Sequence, residues 1–245
     1  MKPQNYDALL LAAGFLACWE ILYVLFGADV VSAPADTLLR AVALLKGRNF
    51  WNDAASTGIA FGYACLIGIT GGVLIGLALG LSRFAGDVAD PILGTVYSIP
   101  KITLYPIILL IFGLSLTAKI AFGVIHGIFP VAIFTMNAVR NVAPVHRRTA
   151  KALRLSPLAT IVTVLAPAAV PEILSGIRIG IAVTLLGILI AELFASSSGI
   201  GFALIRATEI HNVVDIFALT LLLFLFAVAI NTLLHLTERR VRHDA

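Results

Sequence analysis

The stretch RNVAPVHRRTAKALRLSPLATIVTVLAPAAVPEILSG, residues 140–176, decides the fold. Apolar segments flank it, and within it Arg140, His146, Arg147, Arg148, Lys151 and Arg154 crowd together. Burying such a run in hydrocarbon costs several kcal/mol, so it lies in water or among headgroups. From Arg148 onward, Leu153, Leu155, Leu158, Ile161, Val162 and Leu165 recur at roughly helical spacing. Pro157 stands where it opens a second short helix or kinks the first. Pro167 and Pro171 punctuate the entry to the next apolar segment. Two readings fit: a solvated loop with a helix lying on the membrane, or a docking helix gripped by a soluble partner.

The surrounding composition makes the flanks membrane spans. The chain is 60% hydrophobic and 12% charged, with mean hydropathy +1.03, whereas a soluble domain carries about 25% charged residues. The net charge of +4 points to headgroups and topology and does not imply nucleic acid. Cys18 and Cys65 both fall in apolar segments, which suits inert core thiols better than a disulfide or a metal pair. The single Lys before the first apolar run, with no small-residue cleavage site behind it, predicts that this span is retained.

Six spans of roughly the 20 residues that a bilayer needs are expected: 8–27, 57–81, 91–113, 118–139, 169–193 and 213–236. The segment 31–52 is apolar in part, but Pro34, Asp36, Arg40, Lys46 and Arg48 break it, and it reads as a short interfacial helix. The whole chain, 1–245, is one all-α transmembrane domain. Residues 1–56 supply the first span and the interfacial helix, 57–236 the core with its loop at 140–168, and 237–245 a tail. Ten of the 17 Lys and Arg fall on the side that holds both termini and this loop, and five on the other. That bias places the termini and the loop in the cytosol.

Within the spans, Gly68, Gly72, Gly76 and Gly80 recur every fourth residue, a smooth stripe on which another backbone approaches closely. Gly123/Gly127 and Gly176/Gly180 repeat the spacing. Intrachain packing is the expectation; a moving or subunit-crossing face is the minor one. The third span is interrupted at Ser98-Ile99-Pro100-Lys101 and Tyr105-Pro106. Backbone freed there is tolerated only against protein or a watery cavity. Lys101 falls near the midplane, and an intramembrane Lys marks a pathway or a locally paired cation. Arg178 lies at similar depth; Glu172, six residues before it, is on another face. Glu192 ends its span on the outer side, at the interface or at a gate. His126, Asn137 and Thr184 suit interhelical hydrogen bonds. Ser196 to Gly201 reads as a tight outer turn.

Several chemistries have no motif here. There is no Gly-x4-Gly-Lys-Ser/Thr loop, and the lone Gly-x-Gly lacks a strand–helix context. No HExxH or paired Cys/His spacing appears, nor a Gly-x-Ser-x-Gly elbow. An intramembrane enzyme is therefore disfavoured. A stand-alone secondary carrier or channel remains the alternative, although neither an inverted repeat nor midplane carboxylates are visible.

The loop at 140–171 resembles the "EAA" loop of permease subunits in bacterial ABC importers: Arg148-Thr149-Ala150, then Arg154, then Leu165-Ala166-Pro167 and Val170-Pro171. SIPKITLYPIILLIFG (98–113), SGIRIGIAVTLLGILIAELFASSSGIGF (175–202) and Ser32-Ala33-Pro34 resemble the nitrate/sulfonate/taurine branch, so the likeness covers nearly the whole chain. It departs at two positions: Arg148 stands where the family has Glu, and Arg154 where it has the Gly that turns the loop. Ser156-Pro157 is expected to help make that break. The resemblance implies a type I importer permease in the inner membrane, with two copies forming the path. Two cytosolic ATPase subunits that hold ATP and Mg would dock on Arg148, Thr149, Ala150, Lys151, Ala152, Leu153, Arg154, Leu155, Ser156, Pro157 and Leu158. An external binding protein would deliver a small anionic or zwitterionic solute, and this chain itself would bind no cofactor. On this reading Pro100, Lys101, Tyr105, Arg178, Thr184 and Glu192 are the candidate path residues.

Overall fold

The computed structural model describes residues 5–142, 145, 148, 150, 152–160, 163–164 and 166–244, with no strand among them. In chain order they form α1 (Asn5–Phe26), α2 (Pro34–Lys46), α3 (Arg48–Leu81) and α4 (Arg83–Ser98). A 3-10 turn (Lys101–Leu104) leads into α5 (Tyr105–Phe112), followed by α6 (Leu116–Arg140) and a short α7 (Pro157–Thr160). Then come α8 (Ala166–Phe194), α9 (Ile200–Glu209) and α10 (Val213–Asp244). Helices α3, α6, α8 and α10 are each long and apolar enough to cross a membrane. Counting the α4–α5 pair as one crossing and α1 as another gives the six that hydropathy marks out.

The centre of the fold is the trio α3, α6 and α8. Apolar side chains gain little by leaving lipid for another helix, so association rests on close backbone approach. The glycine stripe of α3 supplies it, and Gly68, Gly72, Gly76 and Gly80 are all buried. A Cβ on Gly72 would lie 2.7 Å from Val131 Cβ, and one on Gly80 2.9 Å from the Met136 carbonyl oxygen. On Gly76 it would meet Thr135 Cβ at 2.5 Å. Gly123 faces Ile188 and Ala64, Gly127 faces Thr184, and Gly180 faces Val131, so α6 meets both neighbours through glycine. The stripe is thus an intrachain seam, as its spacing predicts. Gly58 and Gly62, upstream on the same helix, have open space beside them.

Two elements differ from the expected boundaries. Helix α3 begins at Arg48, not 57, and its 34 residues extend about 51 Å at 1.5 Å per residue, well beyond a bilayer core. The added turns carry Asp53 and Ser56, which with Thr57 grip the 196–201 turn (below). The third span is not one rod: α4 and the 101–112 segment meet at 81°. Pro100 and Pro106 each lack an amide donor, and the chain is extended at Ile99 and Pro100. Helix α2 spans the segment read as a short helix, with Thr37 and Ala41 buried and Leu38, Leu39 and Val42 exposed. It lies on α10, where Arg40 pairs with Asp215. Helix α1 is peripheral, held where Trp19 stacks on Phe217 at 6.0 Å and donates to the Ser32 carbonyl at 2.9 Å.

If the seam sets the fold, Gly76→Val will lower stability by about 1–3 kcal/mol, the usual cost of overpacking. Gly58→Val, in open space, will leave it unchanged. Thermal melts of both variants in detergent check this, and equal melting temperatures would mean the seam is not tight.

Candidate translocation path and docking loop

The loop joining α6 to α8 is built by local chemistry. Ala150 is buried, whereas Arg148, Ala152 and Leu153 are exposed, Leu153 at 66%. Arg154 has φ +53°, the left-handed region, and the Leu155 N–H donates back to the Ala150 carbonyl at 3.1 Å. This six-to-one bond around a left-handed residue is the Schellman helix ending. The backbone therefore makes the glycine turn although Arg occupies the position, at a cost of about 1 kcal/mol. Ser156 then caps the next helix: its Oγ accepts from the Ala159 N–H at 3.2 Å, with Pro157 at the first helical position. Ser156-Pro157 and the strained Arg154 thus share the break. Leu158 follows in α7; Thr149 and Lys151 lie outside the described residues.

At the opposite end of the trio a buried polar cluster joins four segments. Glu192, near the end of α8, has no exposed surface, and Lys119, in the first turn of α6, has 4%. They pair at 3.2 Å. The Lys119 ammonium also donates to the Ser198 carbonyl at 2.6 Å and to Ser56 Oγ at 3.2 Å, so its three protons all have partners. Glu192 accepts from Thr57 Oγ1 at 2.9 Å and from the Gly201 N–H at 3.0 Å. Thr57 Oγ1 in turn accepts from the Ile200 N–H at 2.9 Å, and Asp53 from the Gly199 N–H at 2.8 Å. These bonds cap the start of α9 from α3 and α8. Gly199 has φ +113°, and a Cβ there would run into the Glu192 carboxylate. Only glycine fits this turn.

The expected path residues do not form one surface. Tyr105, Thr184 and Glu192 are 3%, 1% and 0% exposed. In this conformation all three meet the chain's own helices. Tyr105 hydroxyl donates to the Ala191 carbonyl at 2.7 Å and the Ala195 carbonyl at 3.0 Å, closing the end of α8. Thr184 packs on Gly127. Glu192 lies inside the polar cluster. Arg178 contacts His235 Nδ1 of α10 at 3.3 Å. Pro100 is exposed at the 81° bend and Lys101 is half-buried beside it. His126 Nδ1–H donates to the Phe122 carbonyl, 2.9 Å away within its own helix, so it bridges no helices by this bond.

Lys119 is the residue that the sequence did not single out. Its signal was present: a Lys opens one span and an acid closes another, both at the end that topology makes common. Two outcomes check these constructions. Lys119→Met leaves a buried carboxylate unpaired and will cost about 3–5 kcal/mol, with Lys119→Met/Glu192→Met recovering part of the loss; detergent melts measure it, and an unmoved midpoint for the single variant refutes the pairing. Arg154→Gly removes the left-handed penalty, so hydrogen exchange at the Leu155 amide will slow about fivefold, as about 1 kcal/mol requires; faster exchange would contradict the turn.

The comparisons with known proteins agree with this geometry. Residues 68–243 match the family described as "Binding-protein-dependent transport system inner membrane component". The putative aliphatic sulfonates transport permease protein SsuC of Bacillus subtilis is 28% identical over 235 residues, covering 95% of this chain and 85% of that protein. The taurine transport system permease protein TauC of Escherichia coli is 29% identical, covering 78% and 72%. The bicarbonate transport system permease protein CmpB of Synechococcus elongatus is 32% identical, covering 87% and 82%. Among solved structures, an inward-facing MetNI methionine ABC transporter aligns with TM-score 0.63 at 21% identity, over 81% of this chain and 96% of that one. That likeness speaks for the fold. With a family match spanning the glycine stripe of α3, the loop and the Lys119–Glu192 pair, the chain belongs to the binding-protein-dependent transport system inner membrane components, the permease subunits of ABC importers.

Proposed function

We propose that this permease carries a small anionic or zwitterionic solute of the sulfonate, taurine or nitrate kind, driven by cytosolic ATPase subunits that dock on residues 148–158. Two copies of the chain form the path, ATP and Mg stay on the ATPases, and an external binding protein delivers the solute. Both termini lie in the cytosol with the loop. The observation that carries the reading is the loop itself. It presents a capped helix–turn–helix, with Arg148 and Leu153 exposed, between the two long helices α6 and α8. A soluble protein gripping such a turn moves two core helices together. The Arg148 guanidinium faces outward where the family has a carboxylate, so the ATPase groove that receives it should be acidic at that point. Relatives named for sulfonates, taurine and bicarbonate support a small oxyanion-like solute.

Replacing Leu153, Leu155 and Leu158 together with Asp places three charges in an apolar docking contact. Co-purification of the ATPase with the permease should fall about tenfold or more, because buried unpaired charges cost several kcal/mol. Full recovery of the ATPase in a pull-down would move the docking site elsewhere.

A further inference from the structure

The basic groups in and beside the membrane are satisfied to very different degrees. Lys119 has all three protons engaged, one of them on Glu192. Arg140, at the end of α6, pairs with Asp87 and lies along Gly86, where a Cβ would come 2.8 Å from its Cδ. Arg178 meets the His235 ring. Lys101 stands apart. Its ammonium donates to the Tyr97 carbonyl at 2.8 Å and sits 4.3 Å from the Tyr97 ring centre and 5.9 Å from that of Phe129. Among the described residues, the ion pairs are Arg40–Asp215, Lys119–Glu192 and Arg140–Asp87, and none of them involves Lys101. Asp90, the nearest acid toward the start of α4, is about 12 Å from the helix end by rise alone.

An ammonium has three protons to donate. The Tyr97 carbonyl takes one, and the two ring faces stabilise the charge without neutralising it. The residue lies at the 81° bend, beside exposed Pro100, on the compliant part of the span. A cation kept at membrane depth without a counter-charge is costly. A passing anion offsets that cost while it is bound and restores it on leaving. A solute with an ammonium of its own meets repulsion from Lys101, which forms no ion pair among the described residues.

We propose that Lys101 is the specificity-determining cation of the path and that it selects a monoanion over a zwitterion. This rests on the permease reading above and narrows its solute. The chemical class is a small oxyanion, nitrate-like or sulfonate-like, whose oxygens accept from the ammonium while any apolar tail lies along Tyr97 and Phe129.

The test uses the permease–ATPase complex in lipid nanodiscs. Acetylation of Lys101 by a water-soluble amine reagent is followed by peptide mass spectrometry, with nitrate, ethanesulfonate and taurine as separate probes. Lys46, exposed on α2, is the internal control. Nitrate or ethanesulfonate should slow labelling of Lys101 by about threefold or more, the protection expected at about twice the dissociation constant. Taurine should protect less, and Lys46 should be unaffected. Equal protection by taurine would overturn the selection, and no protection by either anion would overturn the site. Loss of the ATPase subunit from a Lys101→Met complex would make the lysine an assembly contact instead. A complex that shows anion protection but hydrolyses no ATP would count against the importer reading and leave this inference standing.

Discussion

Close approach of three backbones is the constraint from which the rest of this structure follows. In lipid there is no water to expel from between helices, so α3, α6 and α8 hold together by short-range contact. Gly72, Gly76 and Gly80 put α3 against the Val131–Val139 face of α6, and Gly123, Gly127 and Gly180 bring α8 to the other side. These contacts set backbone against carbonyls and against the Cβ atoms of Val131, Thr135 and Val139, which leaves little room for one helix to shift against another. The trio therefore behaves as one body. The loop and the polar cluster hang from its two ends, and the bent α4–α5 pair lies along its flank.

Charge is arranged to suit that body. The cluster at Lys119 and Glu192 is an expensive way to hold a turn, since a buried ion pair gives back little more than its desolvation cost. What it provides is direction. The Glu192 carboxylate and the Thr57 hydroxyl accept from the first amides of α9, and Lys119 donates to the Ser198 carbonyl. An apolar contact would fill the same volume without fixing which way α9 leaves. Arg140 and Asp87 do a smaller version of this at the other end, half in solvent, where such a pair contributes at most about 1 kcal/mol.

What the sequence made legible was what repeats or breaks locally. The four-residue glycine spacing, the prolines at 100 and 106, and the cationic run at 140–154 each state their structure without reference to distant parts of the chain. Long-range pairing was not legible. Lys119 and Glu192 are 73 positions apart, and each alone reads as an ordinary span end. Tyr105 sits next to a helix-breaking proline, yet its hydroxyl turns inward to the carbonyls of α8, because an uncapped helix end needs donors more than the cavity needs a phenol. Arg154 shows the opposite lesson. The side chain departs from the family's glycine while the backbone does not, since the bond from Leu155 to Ala150 and the Ser156 cap together outweigh the local cost of a left-handed arginine.

The stiff and the compliant parts are thus separated along the chain. Helices α6 and α8 run unbroken from the loop to the polar cluster. Helix α4 is coupled differently: one residue, Ser82, links it to α3, and the Arg140–Asp87 pair links it to the last turn of α6. Beyond Ser98 the helical ladder gives way to single bonds, Ile99 N–H to the Val96 carbonyl and Thr103 N–H to the Pro100 carbonyl, and the chain resumes as α5 only after the 3-10 turn. Two prolines that lack an amide donor set this break, so α4 and α5 are not held to each other as one helix would be. Lys101 is the first residue past the break, and its ammonium reaches back across it to the Tyr97 carbonyl, the one side-chain bond that ties the turn to the end of α4 among the described residues.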